Sequence, residues 1–119
     1  MNESEGFAEK YLQQNHLIPI ERNYRSRFGE IDLIMQDNDT LVFVEVRQRS
    51  SNAFGGAAAS IDLCKQRRLI LTAQRYVAKL HPTPPCRFDV VLMDNKQGKN
   101  LEWIRNAFDA QAFGRLHMN

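Results

Sequence analysis

Two acids in this sequence are spaced to do chemistry together. Asp32 and Glu45 sit in the apolar segments GEIDLIMQ and LVFVEVRQR, separated by the polar tetrapeptide DNDT. Such a tetrapeptide between alternating segments closes a hairpin. Pairing Gln36 with Leu41 then places Asp32 opposite Glu45 and Glu30 opposite Arg47, all on one side of the sheet. Like charges directly opposite one another destabilise a ladder. Held on a face that also carries Ile34, Leu41 and Phe43, an acid pair either shares a proton or takes a cation. A hard divalent ion is commonly bound by one or two carboxylates plus waters and a substrate phosphate, and the geometry suits that ion. The register decides the matter, because a slip of one residue would separate the pair.

Glu5 is the third candidate ligand. The spacing of Glu5, Ala8 and Leu12 predicts a helix over residues 3–15 with those three on one face, the face a helix lays on a sheet. Asn2 suits its N-cap, and Glu3 and Glu5 suit the helix dipole. Ordinary structural roles compete with each candidate. Glu5 also stands where an acid completes a capping box with Asn2. Glu30 with Arg47 also fits a cross-strand salt bridge, which would leave Asp32 and Glu45 solvated.

The elements that must position these groups follow in the order helix, three strands, helix, strand. A strand is expected over Leu17 to Tyr24, with a turn from Arg25 to Phe28. In the strand over residues 29–36, Ile31, Leu33 and Met35 take one face, and Glu30, Asp32 and Ile34 the other. In the next, over 41–49, Val42, Val44 and Val46 oppose Leu41, Phe43, Glu45, Arg47 and Arg49. Ser50 to Ala59 reads as a flexible loop. Ser60 or Asp62 then caps a helix running to about Leu80. Its buried stripe is Leu69, Ala73, Tyr76, Val77 and Leu80, and Lys65, Arg68, Arg75 and Lys79 line another face. That basic stripe is more often a solvated face than a binding surface. The HPTPP run stops the helix. A strand over Arg87 to Met93, a short one over Leu101 to Ile104 and a helical turn within Asn106 to Phe113 complete the pattern, with residues 110–119 fraying.

Length and composition bound the rest. A chain of 119 residues fits a single domain. Its hydrophobic content of 43% and charged content of 25% are those of an ordinary globular protein rather than a disordered one. The start MNESEGFAEK lacks a basic end followed by an apolar run, so no secretory signal is expected. No apolar stretch approaches transmembrane length, so the expected location is the cytoplasm, away from membranes. Cys64 and Cys86 form no CxxC pair, and free thiols are expected. His16, His81 and His117 are scattered without ligand spacing, and no P-loop, GxGxxG or serine elbow is present. The net charge of +2 points only weakly to a polyanion, although basic residues outnumber acids between positions 21 and 90.

The segments RNYRSRFGEIDLIMQ, TLVFVEVRQRS, FGGAAASI, KQRRL and PCRFDVV resemble the YraN family of small bacterial proteins. That family is placed with the restriction-endonuclease-like, PD-(D/E)xK nucleases, similar to archaeal Holliday-junction resolvases. The resemblance, which spans about Glu5 to Phe108, implies an α/β restriction-endonuclease-like core, a mixed β-sheet flanked by helices in the order αβββαβ. It also implies a metal-dependent endonuclease that hydrolyses phosphodiesters of structured or branched DNA. By the same likeness Glu5, Asp32 and Glu45 are the catalytic acids and ligands of Mg2+ or Mn2+, aided by the Val46 carbonyl. Arg47 takes the place of the motif's lysine. An arginine can steady phosphate charge but stays protonated, so it is a poor general base. Lys65 is a candidate to reach the site instead. Arg25, Arg27, Arg49, Lys65, Arg68 and Arg75 are the expected phosphate contacts, and a homodimer is implied by analogy with resolvases. The alternatives are a nucleic-acid-binding module that kept the fold without catalysis, and a scaffold for another protein.

Overall fold

The fold starts from a well-capped helix. In the computed structural model, which describes residues 2–49 and 61–109, α1 spans Glu3–Gln14. Asn2 Oδ1 accepts the Glu5 N–H at 2.8 Å, and the Glu5 carboxylate reaches back to the Asn2 N–H, which closes a capping box. Ala8 and Leu12 face inward, and the helix is followed by His16 at φ 74°. The strands β1 (Ile18–Ser26), β2 (Gly29–Asp37) and β3 (Thr40–Gln48) form an antiparallel meander. Helix α2 (Leu63–Val77), capped by Asp62, carries the chain over to β4 (Cys86–Met93), which pairs parallel with β3. A parallel neighbour requires such a crossover. The short β5 (Glu102–Ile104) closes the far edge, antiparallel to β4.

The result is a mixed five-stranded sheet in the order β1-β2-β3-β4-β5, with α1 packed on one face and α2 on the other. Beneath α1, Ala8 and Leu12 pack with Leu33, Met35, Val42, Val44, Val91 and Met93. Beneath α2, Leu69, Ile70, Ala73 and Val77 pack with Ile34, Phe43, Phe88 and Val90. Phe43 anchors the second layer, tilted against Phe88 and edge-on to Tyr76. Truncating a phenyl ring buried to that degree costs about 3–5 kcal/mol.

The hairpin register around DNDT is the expected one, with Gln36 opposite Leu41. Three details differ from expectation. Strand β1 runs on to Ser26, so Arg25 stands opposite Glu30. Ile31 joins the α2 layer with Ile34 rather than lying with Leu33 and Met35, because regular alternation breaks at Asp32. Helix α2 ends at Val77, buries Ile70 and Thr72 as well, and leaves Tyr76 and Leu80 partly covered. Residues 105–109 make a turn and a bend. The Ser50–Ala59 loop and the tail from 110 onward lie outside the described residues. Among the described residues no helix is long and apolar enough to cross a membrane.

Candidate active site

The site lies where β2 and β3 part. Their ladder ends at Leu33 opposite Val44. One residue further, the Asp32 side chain takes over from the main chain: its Oδ2 accepts the Val46 N–H at 2.8 Å. That contact turns the Asp32 carboxyl into the gap between the strands, beside Glu45. Glu45 is buried on the α2 face of β3, only 7% exposed. A buried acid beside a second acid holds its proton tightly. The Asp32 carboxyl is pushed up to about 8, first by burial and then by the Glu45 charge, with a smaller push from Glu5 and a partial offset from the Val46 N–H. Burial likewise raises Glu45, against the pull of Lys65, of its hydrogen bonding with Asp32, and of Arg47.

Two cations stand on one side of Glu45. Lys65 Nζ lies 3.6 Å and Arg47 Nη1 3.7 Å from Oε2. The other oxygen, Oε1, is buried with no hydrogen-bond partner among the described residues. A buried carboxylate oxygen left without a partner costs the full desolvation of that atom. Asp32 and Glu45, the latter through Oε1, are the groups that could hold a small hard cation keeping part of its water shell.

Glu5 takes the capping role expected of it. It is buried at 6% exposure and completes the helix cap, yet its charge also bears on Asp32. Oε1 accepts Asn23 Nδ2 at 3.0 Å, and Oε2 accepts Asn2 Nδ2 at 3.2 Å. With Asn2, Asn23, Arg25 and Glu30 it lines an open polar cleft of about 410 Å³. The fold therefore crowds Asp32 against Glu45 and holds Glu5 one layer back. Among the described residues no three of His, Cys, Asp and Glu are grouped tightly enough to hold a metal ion by themselves.

The expected basic residues divide into groups. Lys65 stands at the acid pair. Arg25 and Arg27 are exposed near the β1–β2 turn, Arg25 at 3.7 Å from Glu30 and Arg27 stacked 4.9 Å over the Phe28 ring. Glu30 thus pairs with Arg25 rather than with Arg47. Arg68 and Arg75 are exposed on α2. Arg49 is already engaged, bonding Asp94 at 2.8 Å, Glu102 at 2.9 Å and the Asn100 carbonyl at 2.8 Å. Sequence reasoning missed Asn23 and the bidentate Arg22–Glu9 pair, both bonds 2.6 Å, which pins α1 to β1. An asparagine inside a strand pattern was the available signal for Asn23, since asparagine tolerates left-handed backbone.

A helix-flanked mixed sheet with a crowded acid pair at a strand opening defines a small α/β protein with a candidate cation site. Residues 4–93 match the uncharacterised protein family UPF0102. A UPF0102 protein of Nitrosomonas europaea is 57% identical over 108 residues, covering 91% of this chain and 92% of the relative. Relatives from Nitrosospira multiformis (53% over 108 residues, 91% of each chain) and Cupriavidus metallidurans (56% over 110 residues, 92% of this chain and 80% of the relative) bear the same family name. The chain belongs to the UPF0102 family, the YraN family that its motifs resemble.

Proposed function

We propose that the chain is a metal-dependent endonuclease that hydrolyses phosphodiesters of nucleic acid, with structured or branched DNA as substrate. One observation carries this reading: Glu45 is buried beside a half-buried Asp32, both are raised in proton affinity, and Glu45 Oε1 has no hydrogen-bond partner among the described residues. Asp32 and Glu45, with the Val46 carbonyl, would hold Mg2+ or Mn2+. Such a cation supplies Lewis acidity, polarising a phosphate oxygen and acidifying water. Lys65 and Arg47, both beside Glu45 Oε2, would steady negative charge developing on the phosphate. Arg47 stays protonated and moves no proton, so Lys65 stands for the lysine of the nuclease motif. Glu5 would orient water in the cleft it lines. Arg25, Arg27, Arg68 and Arg75 would grip phosphates, contacts that fix register without reading sequence. Recognition would then rest on the shape of the nucleic acid. The resemblance to resolvases adds a homodimer, which sedimentation equilibrium tests.

A second reading, nucleic-acid binding without hydrolysis, rests on a different observation. Glu45 already has two cations within 4 Å, which lowers its need for a metal. Cleavage of four-way junctions, flaps and plain duplex in Mg2+ or Mn2+ separates the two. Endonuclease activity predicts cutting by the native chain and at least about 100-fold less by Glu45→Gln. Equal cutting by both would trace the activity to a contaminant. Binding with a steep salt slope and no cutting would favour the second reading.

A further inference from the structure

Asn23 occupies an unusual place in the fold. It lies within β1 at φ 52°, a left-handed conformation that breaks a strand's regular pleat and that few residues other than glycine and asparagine adopt readily. Its neighbours are paired, Arg22 with Leu33 and Tyr24 with Ile31, so Asn23 stands across the ladder from Asp32. The side chain leaves the strand for α1, where Nδ2 donates to Glu5 Oε1 at 3.0 Å. Glu5 Oε2 is held by Asn2 Nδ2 at 3.2 Å, and the Asn2 N–H approaches Oε1 at only 3.4 Å. Of these contacts, the one from Asn23 ties the helix acid to the sheet; the Asn2 contacts tie it to its own helix start. A glycine would supply the backbone shape equally well, so the amide group is the part that needs a reason.

We propose that Asn23 is a positioning residue: its amide fixes the Glu5 carboxylate toward the Asp32–Glu45 pair and thereby strengthens divalent-cation binding there. The inference rests on the cation reading of that pair. Groups that orient a ligand shell from behind typically change metal affinity by about 10–100-fold when removed. Glu5 freed from Asn23 loses its fixed orientation within the cleft it lines, and its charge moves away from the cation.

Calorimetric titration with MnCl2 tests this on the full chain, with melting temperature in chelator as the readout of folding. Asn23→Gly keeps the left-handed backbone and removes the amide. It is expected to melt close to the native chain and to bind Mn2+ about 10-fold more weakly. Asn23→Asp, equal in size but lacking the donor, is expected to weaken binding as well, so a folding defect in one variant leaves the other to decide. Glu5→Gln should weaken binding comparably, and Asn23→Gly should add nothing further in the Glu5→Gln background. Native-like Mn2+ affinity in Asn23→Gly or Asn23→Asp, an unchanged Glu5→Gln, or full additivity in the double variant would each overturn the positioning role while leaving the cation site standing. Saturable Mn2+ binding absent from the native chain itself would instead overturn the cation reading, and this inference with it.

Discussion

Two buried carboxylate regions in this protein are built to opposite rules. Asp89 on β4, 1% exposed, is satisfied on every side. Arg87 Nε donates to its Oδ1 at 3.0 Å and Nη2 to Oδ2 at 3.2 Å. Trp103 Nε1 donates at 2.9 Å and the Asn106 N–H at 3.0 Å. Arg87 in turn bonds Asp37 at 2.9 Å, so the network ties β4 to the β2–β3 hairpin and to the segment around β5. Asp32 and Glu45 instead face each other, and one Glu45 oxygen has no hydrogen-bond partner among the described residues. Burial of an acid is thus no sign of function in itself. An incomplete set of partners is the better sign, because a folded chain tolerates it only where something else completes it.

The comparison is broken most forcefully at Asp89. Asp89→Ala leaves Arg87 charged and short of its main partner, which destabilises by about 3–5 kcal/mol. A urea midpoint shifted far down, equally with and without Mn2+, is the expected result. Asp32→Asn goes the other way. It keeps an oxygen for the Val46 N–H and, above about pH 8 where Asp32 loses its proton, removes a repulsion, so there the metal-free protein gains about 0.5–2 kcal/mol, as substitutions at strained functional sites do, while cleavage is lost. Destabilisation by Asp32→Asn in the same urea assay at such a pH would erase the contrast between the two regions.

Acidity sharpens the same contrast. The Asp32 pKa of about 8 in the fold lies above its ordinary value of 3.8, so the folded chain keeps a proton that the unfolded chain releases. The stability from that proton is complete below about 4 and is lost as pH rises through about 8. In chelator, the melting temperature of the native chain should fall between pH 5 and 9. Asp32→Asn should flatten that slope, and scanning calorimetry across the range reads both. The smallest effect on stability belongs to Lys65→Met. The Lys65 side chain is about a third exposed and its pair with Glu45 is loose, so the change is under about 1 kcal/mol. Mn2+ binding should tighten as a competing cation leaves, while cleavage slows, a split that paired binding and rate measurements would register.

Much of this was legible in the sequence. DNDT between two alternating segments fixed the β2–β3 register, and the spacing of Glu5, Ala8 and Leu12 fixed which way α1 faces. The acid pair followed from that register alone. What escaped came from side chains standing in for backbone. Asp32 replaces a main-chain acceptor for the Val46 N–H, which ends the ladder early and moves Ile31 to the other layer; a pattern of two cannot register that. Arg25 drew Glu30 away from Arg47 because β1 runs two residues past Tyr24. Asn23 adopts its conformation for a partner 18 positions earlier in the chain, and no local spacing announces such a contact. The engagement of Arg49 with Asp94 and Glu102 likewise depends on where the β4–β5 turn comes to rest.

Titration of the metal-free protein with MnCl2 at pH 7, repeated in two buffers of different ionisation enthalpy, asks most directly whether the Asp32–Glu45 pair is a cation site. One saturable site that releases close to one proton on binding is expected, since Asp32, raised to about 8, holds a proton at that pH, with loss of both the site and the proton in Asp32→Asn. No saturable binding, or the same binding and proton release in Asp32→Asn as in the native chain, would contradict it.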